Sequence, residues 1–308
     1  MRKPRALRPG DRIAIVAPAS PFTREDFDAG IEEIRRLGFE PVYDEDVFAR
    51  DRYLAGPPEL RARAFLTAWV DPSVSAVVAV RGGYGSVHLL PLLDTHHIET
   101  MPKIFMGYSD NTSLLTWLTQ QCGIVAFHGP MLAGRLARGV EGYDRDTLMR
   151  CLCRPEPVGE IVHPQVETLV AGDAAGTLVG GTLTQLAASL GTPFAFSPPE
   201  GCVLFLDEVG ERPYRLDRLL TQLRLAGILS RTAALVFGEL PECDEPGGTL
   251  MGRETIRELT KDFPGPVLFG LPSGHTDGAC LTIPLGVRAR VIAGSRPALV
   301  IEESAVSR

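Results

Sequence analysis

The sequence is short of several things that whole classes of protein require. No apolar run approaches the roughly 20 residues needed to span a bilayer, so no membrane partner is expected. Basic residues are in deficit: 31 Lys and Arg stand against 38 Asp and Glu, leaving a net charge of −7. Without a positive surplus to neutralise phosphates, no nucleic-acid partner is expected either. The cysteines are Cys122, Cys151, Cys153, Cys202, Cys243 and Cys280. They are scattered, and the one close pair, Cys151 and Cys153, lacks zinc-finger spacing. Free buried thiols in a reducing compartment are the expectation. After the basic N-terminus the apolar stretch from Ile13 to Ala17 is too short for a secretory signal, which predicts a cytoplasmic protein. Only two tryptophans occur, Trp69 and Trp117.

What is present describes an ordinary globular chain. Its 308 residues are 44% hydrophobic and 22% charged, enough for a sizeable core in one large or two medium domains. A strand is predicted over residues 12–18. An amphipathic helix follows over 24–37, with Phe27, Ile31, Ile34 and Leu37 on one face. A second strand over 39–43, a helix over 59–69 and a valine-rich strand over 74–80 continue the alternation, the last suited to the centre of a parallel sheet. Further strands are predicted over 104–106 and 124–127, flanking a helix that begins near Ser113. Alternation of this kind up to about residue 152 predicts a doubly wound parallel sheet, with functional loops at the carboxyl ends of its strands. The proline-bearing stretch 155–175 reads as a linker. Residues 176–308 then read as a separate, smaller mixed α/β domain with a strand-rich end. The predicted organisation is thus 1–154, linker 155–175, and 176–308.

The chemistry is expected around Gly107-Tyr108-Ser109-Asp110. An apolar strand, a tight turn holding one hydroxyl, and a following helix make the arrangement of a nucleophile elbow, with the helix N-terminus aimed at the same spot. Asn111 stands where Gly-x-Ser-x-Gly has its second glycine. Helix capping by Ser109, Asp110 or Asn111 is the bland reading of the same local pattern. Arg81-Gly82-Gly83-Tyr84-Gly85 lacks the Walker lysine and the full dinucleotide pattern. Its glycines expose backbone N–H groups suited, with that of Asp110, to an oxyanion hole. Arg81 has the planar fork that suits a carboxylate; a plain strand-to-helix loop is the alternative. Asp207 and Glu208 end an apolar strand and face opposite ways along an extended chain, and ion pairing with the arginines that follow is their simpler use. His275 follows the apolar run 267–271. Serine, acid and histidine each after a buried strand, in that chain order, suit a triad. His128 is a competing base, though its Phe-His-Gly-Pro setting suggests a pocket floor.

Taken together, Val16 to Ser20, Arg81 to Gly85, Gly107 to Asp110, His128 to Pro130, Gly176-x-x-x-Gly-Gly181, the run Leu206 to Arg218 and Ser273-Gly-His275 resemble the LD-carboxypeptidase and microcin-immunity family of serine peptidases. The likeness extends from end to end of the chain. It implies a nucleophile at Ser109, a base at His275 and an oxyanion hole from the Asp110 amide and the Gly82-Gly83 region, with Gly83 as the chosen donor. Arg81, Gly82 and Tyr84 are the candidate substrate contacts. The family's triad glutamate falls on Asp207, one methylene shorter, with Glu208 as the alternative acid. The resemblance further implies a flavodoxin-like N-terminal domain, a barrel-like C-terminal domain and a homodimer. No cofactor and no metal are implied. The implied activity is removal of the terminal D-alanine from murein tetrapeptides. Hydrolysis of a peptidyl-adenylate antibiotic, a non-catalytic amidotransferase-like ligand-binding protein, and a metal hydrolase using Asp207, Glu208 and His275 are the other readings.

Overall fold

The computed structural model describes residues 1–248 and 250–308 of the chain. Its first layer follows the alternating pattern. β1 (Arg12–Val16), α1 (Arg24–Arg36), β2 (Glu40–Val42), α2 (Pro58–Val70) and β3 (Val74–Ala79) come first, and a short α3 (Thr95–Glu99) precedes β4 (Ile104–Gly107). α4 (Thr112–Gln120), β5 (Ala126–His128) and α5 (Arg145–Cys153) complete the N-terminal half. α1 starts where Thr23 accepts the N–H of Asp26 and stops at Gly38, which takes a positive φ. Its face of Phe27, Ile31 and Ile34 is buried against the sheet.

The second half contains β6 (Pro157–Ile161), β7 (Glu167–Val170), β8 (Gly172–Thr182), α6 (Leu183–Ser189), β9 (Cys202–Asp207) and α7 (Pro213–Leu225). It continues with β10 (Thr232–Gly238), α8 (Gly252–Thr260), β11 (Val267–Leu271), β12 (Ile283–Leu285), β13 (Arg288–Ala293) and β14 (Ala298–Ser304). Residues 155–175, read as a linker, therefore carry two strands and the start of a third. Pro157 opens β6, and Pro155 and Pro164 lie outside the strands, where a missing N–H costs no ladder bond.

Two mixed sheets organise the molecule. The first runs β12-β5-β4-β3-β1-β2, all parallel except β12. That outermost strand comes from the far end of the chain, so the C-terminal half closes the N-terminal sheet. Pairing of Ile283 with His128 extends β5 to residue 128; His128 thus ends the strand, where the sequence places it in the following loop. The second sheet runs β6-β14-β13-β8-β9-β10-β11-β7, parallel through β8, β9, β10 and β11 and antiparallel at its flanks. It curls until the Thr168 hydroxyl of β7 donates to the Gly294 carbonyl just beyond β13 at 3.1 Å, giving the barrel-like shape. One continuous apolar core contains residues of both sheets, Val77, Phe105 and Phe127 with Val203, Phe205 and Leu268 among them. A second cluster lies between the second sheet and α6, α7 and α8. Among the described residues, no helix is long and apolar enough to cross a membrane.

Candidate active site

The first sheet changes winding direction between β1 and β3, and in open parallel sheets ligands bind at such a point, beyond the strands' carboxyl ends. A cavity of about 550 Å³ opens there. Pro21 and Phe22 reach it after β1, Arg81, Gly82 and Gly83 after β3, Tyr108 and Ser109 after β4, and Met131 after β5. His275 enters from the loop after β11.

Ser109 is held in the left-handed region, φ 62°, a conformation that costs a non-glycine residue roughly 1–2 kcal/mol. Such strain persists only where the surroundings enforce it, and here they do. Asn111 donates through Nδ2 to the carbonyls of Tyr108 and Arg81, both at 3.3 Å. The Asp110 carboxylate accepts the N–H groups of Gly85 and Ser86 at 3.2 and 2.8 Å, while the Ser86 hydroxyl donates to the Asp110 carbonyl at 2.6 Å. The elbow and the glycine loop are thus tied to each other. They approach so closely that a Cβ at Gly82 would lie 2.8 Å from Ser109 Cβ and 3.3 Å from the Asp110 nitrogen. This places the Gly82-Gly83 backbone beside the Asp110 amide. The capping reading fails for this turn: neither the turn at Ser109 nor α4 has a side-chain cap.

On the other side of the cavity, Asp207 ends β9 with no solvent exposure. The His275 Nδ1–H donates to its Oδ2 at 2.7 Å, and the His275 backbone N–H to its Oδ1 at 3.1 Å. Burial opposes a charge on the imidazole, but the charge and hydrogen bond of Asp207 outweigh it, and the His275 pKa is raised above 6.5. Glu208 points the other way. It accepts the N–H groups of Thr184 and Val209 at 2.8 and 3.0 Å, which seats it on the first turn of α6; burial raises its pKa. The strand's alternation separates the two acids, so Asp207, Glu208 and His275 do not converge on one point. Among the described residues, no group of three or more His, Cys, Asp or Glu is placed to hold a metal ion.

The structure brings Arg81, Gly82, Gly83, Ser109 and His275 to one cavity, with Asp207 directly behind the histidine. Tyr84 is placed differently. It is exposed, packs its ring on Tyr53 and His88, and stands outside the cavity lining. His128 is fully buried, its Nδ1 3.0 Å from the Ser273 hydroxyl, and burial pushes its pKa down to about 4. Several residues were not foreseen. Ser20 accepts the N–H of Tyr84 at 3.1 Å, and Arg50, Thr23 and Asp26 line the mouth. Buried Arg135 ties down the His275 loop. Ser20 lies in a motif-bearing stretch, whereas nothing around Arg135 in the sequence marks it.

Known proteins resemble this chain in sequence and in fold. Two family models match, the LD-carboxypeptidase N-terminal domain over residues 13–129 and the C-terminal domain over residues 175–291. A Streptomyces coelicolor protein provisionally named a carboxypeptidase is 38% identical over 96% of this chain and 97% of its own. The solved muramoyltetrapeptide carboxypeptidase from Oxalobacter formigenes superimposes with a TM-score of 0.84 at 30% identity, covering 96% of this chain and 100% of that one. The microcin C7 self-immunity protein of Escherichia coli is 26% identical over 92% of this chain and 91% of its own. A solved structure of the microcin C7 self-immunity protein reaches a TM-score of 0.89 over 99% of both chains at 24% identity, a likeness of fold alone.

Proposed function

The chain belongs to the LD-carboxypeptidase family of serine peptidases, and from that premise we propose that it removes the terminal D-alanine from murein tetrapeptides through Ser109, His275 and Asp207. The observation that carries this reading is the strained Ser109 turn sharing one cavity with a histidine whose Nδ1 is held 2.7 Å from a buried aspartate. Because Nδ1–H is committed to Asp207, the other ring nitrogen, Nε2, is free to take the Ser109 proton as Oγ attacks the scissile carbonyl. The N–H groups of Asp110 and Gly83 receive the negative charge that forms on the carbonyl oxygen. Imidazolium then protonates the departing amine of D-alanine, and water repeats the sequence on the acyl-enzyme. Arg81, one Nη1–H of which rests on the Pro21 carbonyl at 3.2 Å, offers the remainder of its fork to the substrate's terminal carboxylate. The reading carries with it a cytoplasmic site of action, a role in cell-wall recycling and a homodimer, the last testable by sedimentation velocity.

Peptidyl-adenylate hydrolysis stands second, supported by the sequence likeness to the microcin C7 self-immunity protein. A base platform of tryptophan is not offered, since Trp69 and Trp117 are buried on α2 and α4. The deciding test is mass spectrometry of the protein incubated with L-Ala-γ-D-Glu-meso-diaminopimelyl-D-Ala beside a Ser109→Ala control. Loss of D-alanine from the parent reaction only is the expected result. Cleavage by both would remove Ser109 from its role. Cleavage by neither, with turnover of a peptidyl-adenylate, would move the function to antibiotic immunity.

A further inference from the structure

One buried cation links the two halves of the cavity. Arg135 lies in the segment after β5, buried despite its charge. Its Nη1 donates to the Gly278 carbonyl at 2.9 Å, and its Nη2 to the carbonyls of Gly274 and Thr276 at 3.2 and 2.5 Å. Three carbonyls of the loop bearing His275 therefore converge on a single guanidinium from the other half of the chain. Lysine, a point charge, has no planar fork to match them. Burial pushes the Tyr108 phenol up to about 12, and the nearby Arg135 charge works against that rise. Tyr108 immediately precedes Ser109, and its ring meets the His275 ring edge-on at 5.1 Å.

We propose that Arg135 is a positioning residue that sets the separation of Ser109 and His275 by fixing the loop that carries the imidazole; this rests on reading Ser109, His275 and Asp207 as a triad. Asp207, Cys280 and Glu239 take N–H groups of this loop, whereas Arg135 alone gathers three of its carbonyls. Gly274, at φ 82°, is wedged where a Cβ would lie 2.5 Å from Asp207 Oδ2 and 2.6 Å from His128 Cε1, so its backbone has one workable path. The charged and titratable groups around His275 are Asp207 at the end of β9, Glu208 just beyond it and turned away, Arg135 and Tyr108 from the first half, and His128 behind. Cys280 and Glu239 bond the same loop at the Gly274 N–H and the Asp277 N–H. Of these, Asp207 and Glu208 raise the His275 pKa and Arg135 lowers it.

The test is the pH dependence of Ser109 labelling by a fluorophosphonate, which needs no peptide substrate, in the parent, Ser109→Ala, Arg135→Met and Arg135→Lys. The parent is expected to label and Ser109→Ala not. Arg135→Met should label on the order of 10- to 100-fold more slowly, the cost of sub-ångström misplacement, with its midpoint moved to higher pH. Arg135→Lys should return the midpoint towards the parent's while the rate stays low. A slower rate with an unmoved or lowered midpoint in Arg135→Met would reduce Arg135 to a structural tie and overturn the inference, as would parent-like rates. If Arg135→Met fails to fold, Arg135→Lys decides alone: parent-like labelling refutes the need for the fork. No labelling of the parent would sink the triad itself, a separate outcome.

Discussion

Acid should destabilise this protein through His128 more than through any exposed group. The Ser273 hydroxyl donates to the Leu281 carbonyl at 3.0 Å, so His128 Nδ1, 3.0 Å from the same oxygen, is left to supply its own proton. Nε2 has no partner and no contact with water among the described residues. Protonation would place a second N–H, and a charge, in a dry pocket between Phe205 and Tyr108. The folded pKa of about 4 lies below the ordinary 6.5, so the unfolded chain binds this proton first as pH falls. At about 1.4 kcal/mol per unit, the penalty grows below 6.5 and levels off near 4 at about 3 kcal/mol. By about pH 5 it should be about 2 kcal/mol. The assay is urea denaturation of the parent and His128→Gln between about pH 7.5 and about pH 5. The glutamine variant is less stable at neutral pH through altered packing, but its stability should decline about 2 kcal/mol less over that interval. His275, with its raised pKa, contributes in the opposite sense and in both proteins alike, since its protonated form is the one the fold favours. Parallel profiles for the two proteins would refute the assignment of His128 as a neutral buried imidazole.

Three further outcomes follow from the site. Asp207→Asn should lower turnover on the order of 10³- to 10⁴-fold and move the acid limb of the pH–rate profile downwards, because the carboxylate charge no longer offsets the burial of His275. Glu208→Gln, remote from the imidazole, should leave turnover within about tenfold, and equal losses in the two variants, measured by D-alanine release, would contradict the geometry. Since His275 must be neutral to take the serine proton, activity in the parent should rise with pH through a midpoint above 6.5; a midpoint below that value in substrate-free labelling would show that Asp207 does not govern the ring. Gly82→Ala brings a methyl to 3.0 Å from Ser109 Oγ and should cut turnover on the order of 100-fold with only a small change in Tm, whereas parent-like turnover would remove the glycine loop from the site.

Features dictated by local chemistry are legible in the order of residues. Alternating apolar strands and amphipathic helices specified a parallel sheet, and a short strand, a lone hydroxyl and a helix marked the elbow at Ser109. The motifs were specific enough, together, to indicate the family. Strand periodicity also separated Asp207 from Glu208, although which of them meets His275 depends on where the His275 loop lands, 68 residues away in the chain. Features that depend on distant segments meeting are not legible there. The prolines of 155–175 resembled a linker because local composition carries no record of a ladder formed with β11 or β14. β12 could not be assigned to the first sheet, since three residues of strand acquire an address only through their partner, β5. Arg135 had no local signal at all: its role consists of three carbonyls more than 138 residues further along, and a guanidinium buried by tertiary contact reads, in sequence, like any surface arginine.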